Sequence, residues 1–341
     1  MAFWCPRCGR EIQERDGRLR CENCQVSWPI VNAVPHFVES APYWGEAGLT
    51  QAIARELLRE MRSRSWHEVM RAHPSEDVRM RYRITSDPGR AGWSELLDIG
   101  AESIVLDVGA GLGGISQALS RRYAQVYAIE RVEERVQFMK LRFEQEQCQN
   151  ITVVRADADT LPFPERYFDL IVLNGVLEWL PFSRKQDNPR DAQLHYIRRL
   201  RNLLKPGGVL AVGIENRTDY GLLLGSEDPH ISIRYVAVLP RIVADLICRL
   251  KIGDRYRPYL YSHAGYRKLI REAGYKSVEI YGAWPGYANP KKLLSLKKSS
   301  IEFVDHVWVT KNPLSRWIKK IMVRLDLLKY FGPAYVLFAR A

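Results

Sequence analysis

Between residues 101 and 216, apolar runs of strand length alternate with stretches of helical spacing. Ile104, Val105, Leu106 and Val108 surround Asp107 in a run with no polar face, as expected of a parallel strand buried on both sides. Beyond a glycine-rich turn, Ile115, Ala118 and Leu119 take up helical spacing. Further strands are predicted at QVYAIE, at ITVVR and at YFDLIVLN. A long amphipathic helix then ends in RRLRNLLKPGG and leads to a fifth strand, VLAVGIEN. SHAGYRKLIREAGY reads as a helix with Ser262 at its N-cap and Gly274 as terminator, followed by the strands KSVEIYGAW and AYVLFARA. Strands alternating with helices predict an α/β fold with a mostly parallel sheet, whose ligand sites lie at the strand carboxyl ends.

Two other regions carry different patterns. Residues 46–99 are helical in spacing and rich in arginine, with Leu57, Leu58, Met61 and Trp66 forming the apolar face of a connector that packs on the next domain. In LPRIVADLICRL, the residues Leu239, Ile242, Val243, Leu246, Ile247 and Leu250 recur at helical intervals. In SRWIKKIMVRLDLLKYF, a stripe of Trp317, Ile318, Ile321, Leu325 and Leu328 is flanked by Arg316, Lys319, Lys320, Arg324 and Lys329, with KKLLSLKK nearby. Packing on the sheet is the usual fate of such faces; the alternative is an apolar face resting on an anionic membrane.

The 341 residues, 46% hydrophobic and 26% charged, suffice for one catalytic domain plus a small module. No uninterrupted apolar run reaches membrane-spanning length, and MAFWCPRCGR lacks the apolar stretch of a signal peptide, so a cytoplasmic location is expected. A net charge of +12 suits a polyanionic partner or an anionic membrane face, and equally a plain solvated surface.

Cys5, Cys8, Cys21 and Cys24 form two Cys-x2-Cys knuckles, twelve residues apart, whereas Cys148 and Cys248 are solitary. In a reducing compartment such pairs point to zinc; a redox pair or free thiols are the alternatives. Four thiolates close a tetrahedral site with no position open to water, which makes the metal structural. The following stretch, CQVSWPIVNAVPHFV, resembles the zinc ribbon of small methyltransferase-activating subunits over about the first 40 residues.

The glycine turn, Gly109, Gly111 and Gly114, satisfies G-x-G-x-x-G and admits a dinucleotide. The acids around it do not favour one. Asp107, two positions before the first glycine, would repel a pyrophosphate but accept from the amino group of an amino-acid ligand. Glu130, seventeen residues past Gly113, ends the second strand where both ribose hydroxyls would reach it, and Asp157 after the third is placed to accept from an adenine amino group.

DVGAGLGG, the acid closing the second strand, the AD step after the third, FDLIV and the LKPGG turn stand in the order found in class I S-adenosylmethionine-dependent methyltransferases, which residues 101–216 resemble. The resemblance implies a Rossmann-like sheet of seven strands with the last inserted antiparallel, and S-adenosylmethionine as cofactor. It implies Asp107, Gly109, Gly111 and Gly113 on the methionine part, Glu130 on the ribose, Asp157 and Ala158 on the adenine, and Asn174 beside the sulfonium. Where that family commonly reads Leu-Glu-His, this chain has Leu177, Glu178 and Trp179, so no catalytic histidine is assigned there. The expected organisation is a zinc ribbon at 1–40, a helical connector at 41–100, and a methyltransferase domain at 101–341 with cap insertions at about 217–261 and 283–331.

A sulfonium is already activated, so alignment of the acceptor and exclusion of water do most of the catalysis; a base or a metal helps an alcohol acceptor. Glu178, Glu215, His230 and His263 are the catalytic candidates, each with an ordinary capping or packing role as the alternative, and Tyr220, Trp284 and Tyr287 are candidates for stacking on a sugar or ring. The expected acceptor is a small molecule or glycan, lipid-linked or related to the cell envelope, which would place the protein in the cytoplasm or peripherally on the inner face of the membrane. RNA is the alternative partner; the ribbon and basic charge favour it, while the lack of an NPPY-like motif or RNA-binding module counts against it. A vestigial, non-enzymatic domain is disfavoured by the intact acids.

Overall fold

The alternating pattern folds as an α/β sheet in a computed structural model that describes residues 3–38, 43, 48–182, 188–296 and 313–341. The chain forms two compact units, Met1–Val172 with Asn202–Gly208, and Leu173–Arg201 with Val209–Ala341.

The first unit opens with a five-stranded antiparallel sheet in sequential order: β1 (Phe3–Trp4), β2 (Glu11–Arg15), β3 (Arg18–Cys21), β4 (Val26–Val31) and β5 (Val34–Pro35). Each Cys-x2-Cys pair lies where one strand turns into the next. The Trp4 amide donates to the Pro162 carbonyl at 2.9 Å and the Phe37 amide to that of Arg155 at 2.7 Å, fixing this sheet to the rest of its unit. Helices α1 (Gln51–Glu60), α2 (Trp66–Ala72) and α3 (Glu76–Thr85) follow. Ser65 starts α2 with a capping box to Glu68, and the predicted face of Leu57, Leu58, Met61 and Trp66 packs with Phe138. Strands β6 (Ile104–Val108), β7 (Gln125–Glu130) and β8 (Ile151–Arg155) pair in parallel with Asp107 opposite Ala128, and helices α4 (Gly114–Ser120) and α5 (Glu133–Gln145) connect them.

Strands β9 (Phe168–Asn174) and β10 (Leu204–Glu215), joined through α6 (Pro189–Leu203), begin in the first unit and end in the second. The second unit adds α7 (Tyr220–Leu223), α8 (Arg241–Ile252), α9 (His263–Glu272), β11 (Ser277–Trp284), β12 (Lys292–Ser295), α10 (Pro313–Arg324), α11 (Leu328–Phe331) and β13 (Ala334–Arg340). β13 runs antiparallel to both β10 and β11 and lies between them.

Among the described residues the larger sheet has eight strands, in the order β12-β11-β13-β10-β9-β6-β7-β8, where seven were expected. The extra strand, β12, pairs antiparallel with β11. Its four residues, KLLS, are too short to show a period, and the one that is buried, Leu294, packs against Leu328 from much later in the chain.

The segment 217–261 has a small core of its own, built from Leu222, Ile233, Val236, Ala237, Ala244, Cys248 and Tyr256. Of the apolar stripe predicted on α8 only Ile247 packs against this core; the inward packing expected of the others fails. Ile242 is 86%, Leu246 58% and Leu250 80% exposed, while Ala244 and Cys248, one turn apart, form the buried face. Two small residues let the helix backbone approach the core closely, which turns the other large side chains outward. On α10 Trp317 is exposed, whereas Leu328 on α11 is buried; the side chains of Arg316, Ile318 and Lys319, and residues 297–312, lie outside the described residues. Ser262 stands at the N-cap of α9 without a side-chain hydrogen bond, and Gly274, at φ +92°, follows its last turn. Among the described residues no helix is long and apolar enough to cross a membrane.

Candidate active site

In the first unit the turn from β6 to α4 holds Gly109, Gly111 and Gly113 at φ of +73°, +60° and +78°, a backbone that other residues adopt only with strain. The surroundings of two of these glycines differ. A Cβ on Gly113 would lie 2.4 Å from Phe143, so packing alone demands glycine; a Cβ on Gly111 would meet nothing within 4 Å, so its bare backbone faces open space.

The acids ring this turn. Asp107 is buried and accepts from the Ser116 hydroxyl at 2.6 Å. Burial pushes its pKa up to about 6, with Glu130 adding to the rise and Ser116 and Arg90 opposing it. Glu130 closes β7 with one oxygen accepting from the Gly111 amide at 3.1 Å and the other from the Arg131 and Val132 amides at 2.8 and 2.9 Å. Asp157 folds its own loop, accepting from the Asp159 amide at 3.0 Å and the Thr160 hydroxyl at 2.9 Å, with Ala158 buried beside it.

Sequence reasoning missed a buried cation beneath the turn. Arg142 of α5 is fully buried, donates to the Leu112 carbonyl at 2.7 Å, to the Thr85 carbonyl at 3.2 Å and to the Gln117 side chain, and lies 4.2 Å from the Trp66 ring centroid. The signal was present in its position: Arg142 follows Phe138 and Met139 by four and three residues, on the face that the apolar side chains define as buried.

In the second unit, Asn174 ends β9 with its side-chain oxygen so near Gly213 that a Cβ there would sit 2.2 Å away, and a Cβ on Gly175 would lie 2.7 Å from the Tyr287 hydroxyl. Three catalytic candidates meet here. Glu178 follows β9, Glu215 ends β10, and His230 comes from the 217–261 segment. His230 Nε2 lies 3.9 Å from a Glu178 oxygen and 3.8 Å from a Glu215 oxygen, while its Nδ1 lies 3.1 Å from Asp228. Asp228 accepts from the Tyr256 hydroxyl at 2.7 Å, and the Trp179 ring packs edge-on against His230 at 4.9 Å. Burial lowers the His230 pKa, but the Asp228 hydrogen bond and the carboxylates of Glu178 and Glu215 outweigh it and raise it to about 10. Glu215 is pushed up to about 7 by burial and by the neighbouring Glu178. His263 takes no part: its ring packs edge-on with Tyr335 at 6.1 Å, and burial, with Arg267 and Lys329 nearby, lowers its pKa to about 4. Of the stacking candidates, Tyr287 borders this cluster through Gly175, Tyr220 is half exposed, and Trp284 packs beside Leu294 and Leu328.

In the ribbon the four sulfurs converge, Cys5 to Cys24 at 3.9 Å and Cys8 to Cys21 at 3.6 Å.

Residues 106–212 match the model of a methyltransferase domain. Over 138 residues the chain is 33% identical to a ubiquinone biosynthesis O-methyltransferase of Xanthomonas campestris, covering 40% of this chain and 52% of that one. Over 80 residues it is 34% identical to a probable ribosomal RNA small subunit methyltransferase A of Thermococcus onnurineus, covering 24% of this chain and 28% of that one. The chain thus spans about half or less of the length of these curated relatives. A SAM-dependent methyltransferase structure from Aquifex aeolicus aligns over 76% of this chain and 92% of its own at 14% identity and a TM-score of 0.42, a likeness too loose to bear on activity. The residues that match a methyltransferase domain, 106–212, span the glycine turn and its three acids.

Proposed function

We propose that the protein is an S-adenosylmethionine-dependent methyltransferase acting on a small molecule or glycan. The observation that carries the reading is the set of three acids, Asp107, Glu130 and Asp157, spaced around an open glycine turn within the segment that matches a methyltransferase domain. The residues fit the donor. The bare backbone at Gly111 leaves room for its amino-acid end, which Asp107, Gly109 and Gly113 would complete. Glu130 retains acceptor capacity for the ribose hydroxyls, and the free oxygen of Asp157, with Ala158, would meet the adenine. Asn174 is assigned to the sulfonium end, and Glu178, Glu215 and His230 to the acceptor.

The cysteine tetrad fits a structural zinc. A tetrahedral Zn–S site with bonds near 2.3 Å has sulfurs about 3.8 Å apart, and the observed separations are 3.6 and 3.9 Å. Residues 1–40 then act as a zinc ribbon, 41–100 as a connector buttressing the donor site, and 101–341 as the catalytic domain with its caps. The outward apolar face of α8, with Arg249 and Lys251 exposed beside it, supports a cap that rests on an anionic membrane surface and meets a lipid-linked acceptor. RNA is the second reading, favoured by the short match to an RNA methyltransferase; it would use the basic charge but leave that apolar face unexplained.

The test is transfer of labelled methyl from S-adenosylmethionine into fractionated lipid, polysaccharide, small-molecule and RNA pools. Label in a lipid, glycan or small-molecule fraction is expected. Label in RNA alone would replace the acceptor assignment, and donor binding without label in any fraction would refute an enzymatic role.

A further inference from the structure

A buried carboxylate oxygen without a hydrogen-bond partner leaves its desolvation uncompensated, and the second unit gathers three of them: both oxygens of Glu178 and Oε2 of Glu215. Glu178 is 0% exposed. Tyr287 serves the Glu215 carboxyl, while His230 Nε2 lies 3.9 and 3.8 Å from the unpartnered oxygens of the two carboxylates, beyond hydrogen-bond reach. The opposite ring nitrogen is held instead. Nδ1 lies 3.1 Å from Asp228, and the Tyr256 hydroxyl fixes the second oxygen of Asp228 at 2.7 Å. With Nδ1 engaged by Asp228, Nε2 is the ring nitrogen that faces the two glutamates and would give up its proton to a cation, and the three ligand atoms lie within 4.8 Å of one another.

We propose that Glu178, Glu215 and His230 are the protein ligands of a single divalent cation. Two carboxylates neutralise its charge, and their unpartnered oxygens gain the partner that the protein itself does not provide. Asp228 plays the part that carboxylates play behind ligating histidines, setting the tautomer and raising ligand basicity, and Tyr256 orients Asp228 in turn. Metal–ligand bonds near 2.1 Å put tetrahedral ligands about 3.4 Å apart, so binding would draw His230 Nε2 inward from 3.9 and 3.8 Å and bring the two carboxylates, already within 4.8 Å, together. One imidazole and two carboxylates suit zinc, manganese or ferrous iron rather than a soft thiophilic ion. Three protein ligands leave positions open to water or to an acceptor oxygen, in contrast to the closed cysteine tetrad. The cation site rests on the geometry of the second unit alone; only its use in lowering the pKa of an acceptor hydroxyl depends on the methyl-transfer reading.

Manganese separates this site from the ribbon, because thiolates are poor ligands for it. The full chain is titrated with Mn2+ in the absence of any methyl donor, and the free ion is followed by electron paramagnetic resonance. Uptake of one equivalent is expected, with electron spin echo modulation from a single imidazole nitrogen. Glu178→Gln and Glu215→Gln should each weaken uptake at least tenfold, and His230→Gln should abolish the nitrogen modulation. No uptake at millimolar Mn2+, uptake without imidazole modulation, or folded glutamine variants that bind as the wild type does would each overturn the proposal. In the first case the cluster is a pair of glutamates bridged by a protonated histidine. The two wild-type measurements decide the matter even where a variant fails to fold, and a failed methyl-transfer assay leaves them untouched.

Discussion

Replacing Arg142 by methionine should damage both the stability of the first unit and its affinity for the methyl donor. The guanidinium makes three hydrogen bonds in a fully buried site and lies over Trp66 at 4.2 Å, with no carboxylate paired to it among the described residues. At about 1.5–3 kcal/mol for each hydrogen bond involving a charged group and about 2 for a desolvated cation–π contact, the gross contribution is on the order of 7–11 kcal/mol. Relief of the cation's desolvation returns several of these. Methionine fills most of the volume but leaves the Leu112 and Thr85 carbonyls and the Gln117 side chain without their donor. The expected net loss is roughly 3–5 kcal/mol, since each of these three acceptors left buried and unsatisfied costs about 1–3 kcal/mol and part of that is offset by the cation's relieved desolvation. Because Leu112 lies between Gly111 and Gly113, the turn loosens as well, and donor affinity should fall. Arg142→Lys should recover little, since one ammonium cannot reproduce the planar fork. Urea denaturation followed by tryptophan fluorescence, with calorimetry of donor binding, measures both effects. A methionine variant within about 1 kcal/mol of wild type that binds donor normally would refute the argument that this cation holds the turn.

Four further outcomes are expected. Glu130→Ala should weaken S-adenosylmethionine binding by on the order of 1.5–3 kcal/mol in calorimetry, the range for hydrogen bonds to a charged group; binding unchanged by the substitution would remove Glu130 from the ribose site. Asp107, raised to about 6 from 3.8 and faced by Ser116, Arg90 and Glu130, stabilises the fold fully below its unfolded value, and that contribution is lost as pH rises through 6. Donor binding needs its ionised form and runs the other way, weakening about tenfold per unit below pH 6, so a flat affinity between pH 5 and 7 would exclude Asp107 as the acceptor for the donor's amino group. Cys21→Ser should remove about one equivalent of zinc and unfold residues 1–40 while donor binding survives, which metal analysis, circular dichroism and calorimetry together check. Pairing Leu246→Glu with Leu250→Glu should lower sedimentation with anionic vesicles at least tenfold at low salt, and a wild-type protein that ignores such vesicles would end the membrane reading.

The glycine turn and its acids were legible because their chemistry is local. A strand, a turn that needs positive φ and a helix follow one another within residues 104–120, and Glu130 and Asp157 stand at or just past the end of a strand that the alternating pattern itself marks. The cysteine knuckles were legible for the same reason. The Glu178, Glu215 and His230 cluster was only half visible: the residue types stood out, but they come from three segments, and nothing along the chain distinguished His230, which joins the glutamates, from His263, which packs against Tyr335.

The order of elements, the parallel strands from β6 to β8, the turn and the four converging cysteines were determined by the sequence itself, since hydrophobic period and glycine placement act over a few residues. Tertiary structure decided which face each amphipathic helix buries, that β12 extends the sheet, and which buried polar groups find partners. Those outcomes depend on contacts between segments far apart in the chain. Ala244 and Cys248 win the interior of α8 over larger residues because the cap core admits a close-packed backbone there, and Arg142 stays buried because Thr85, Leu112, Gln117 and Trp66 converge on it from three different elements and the turn.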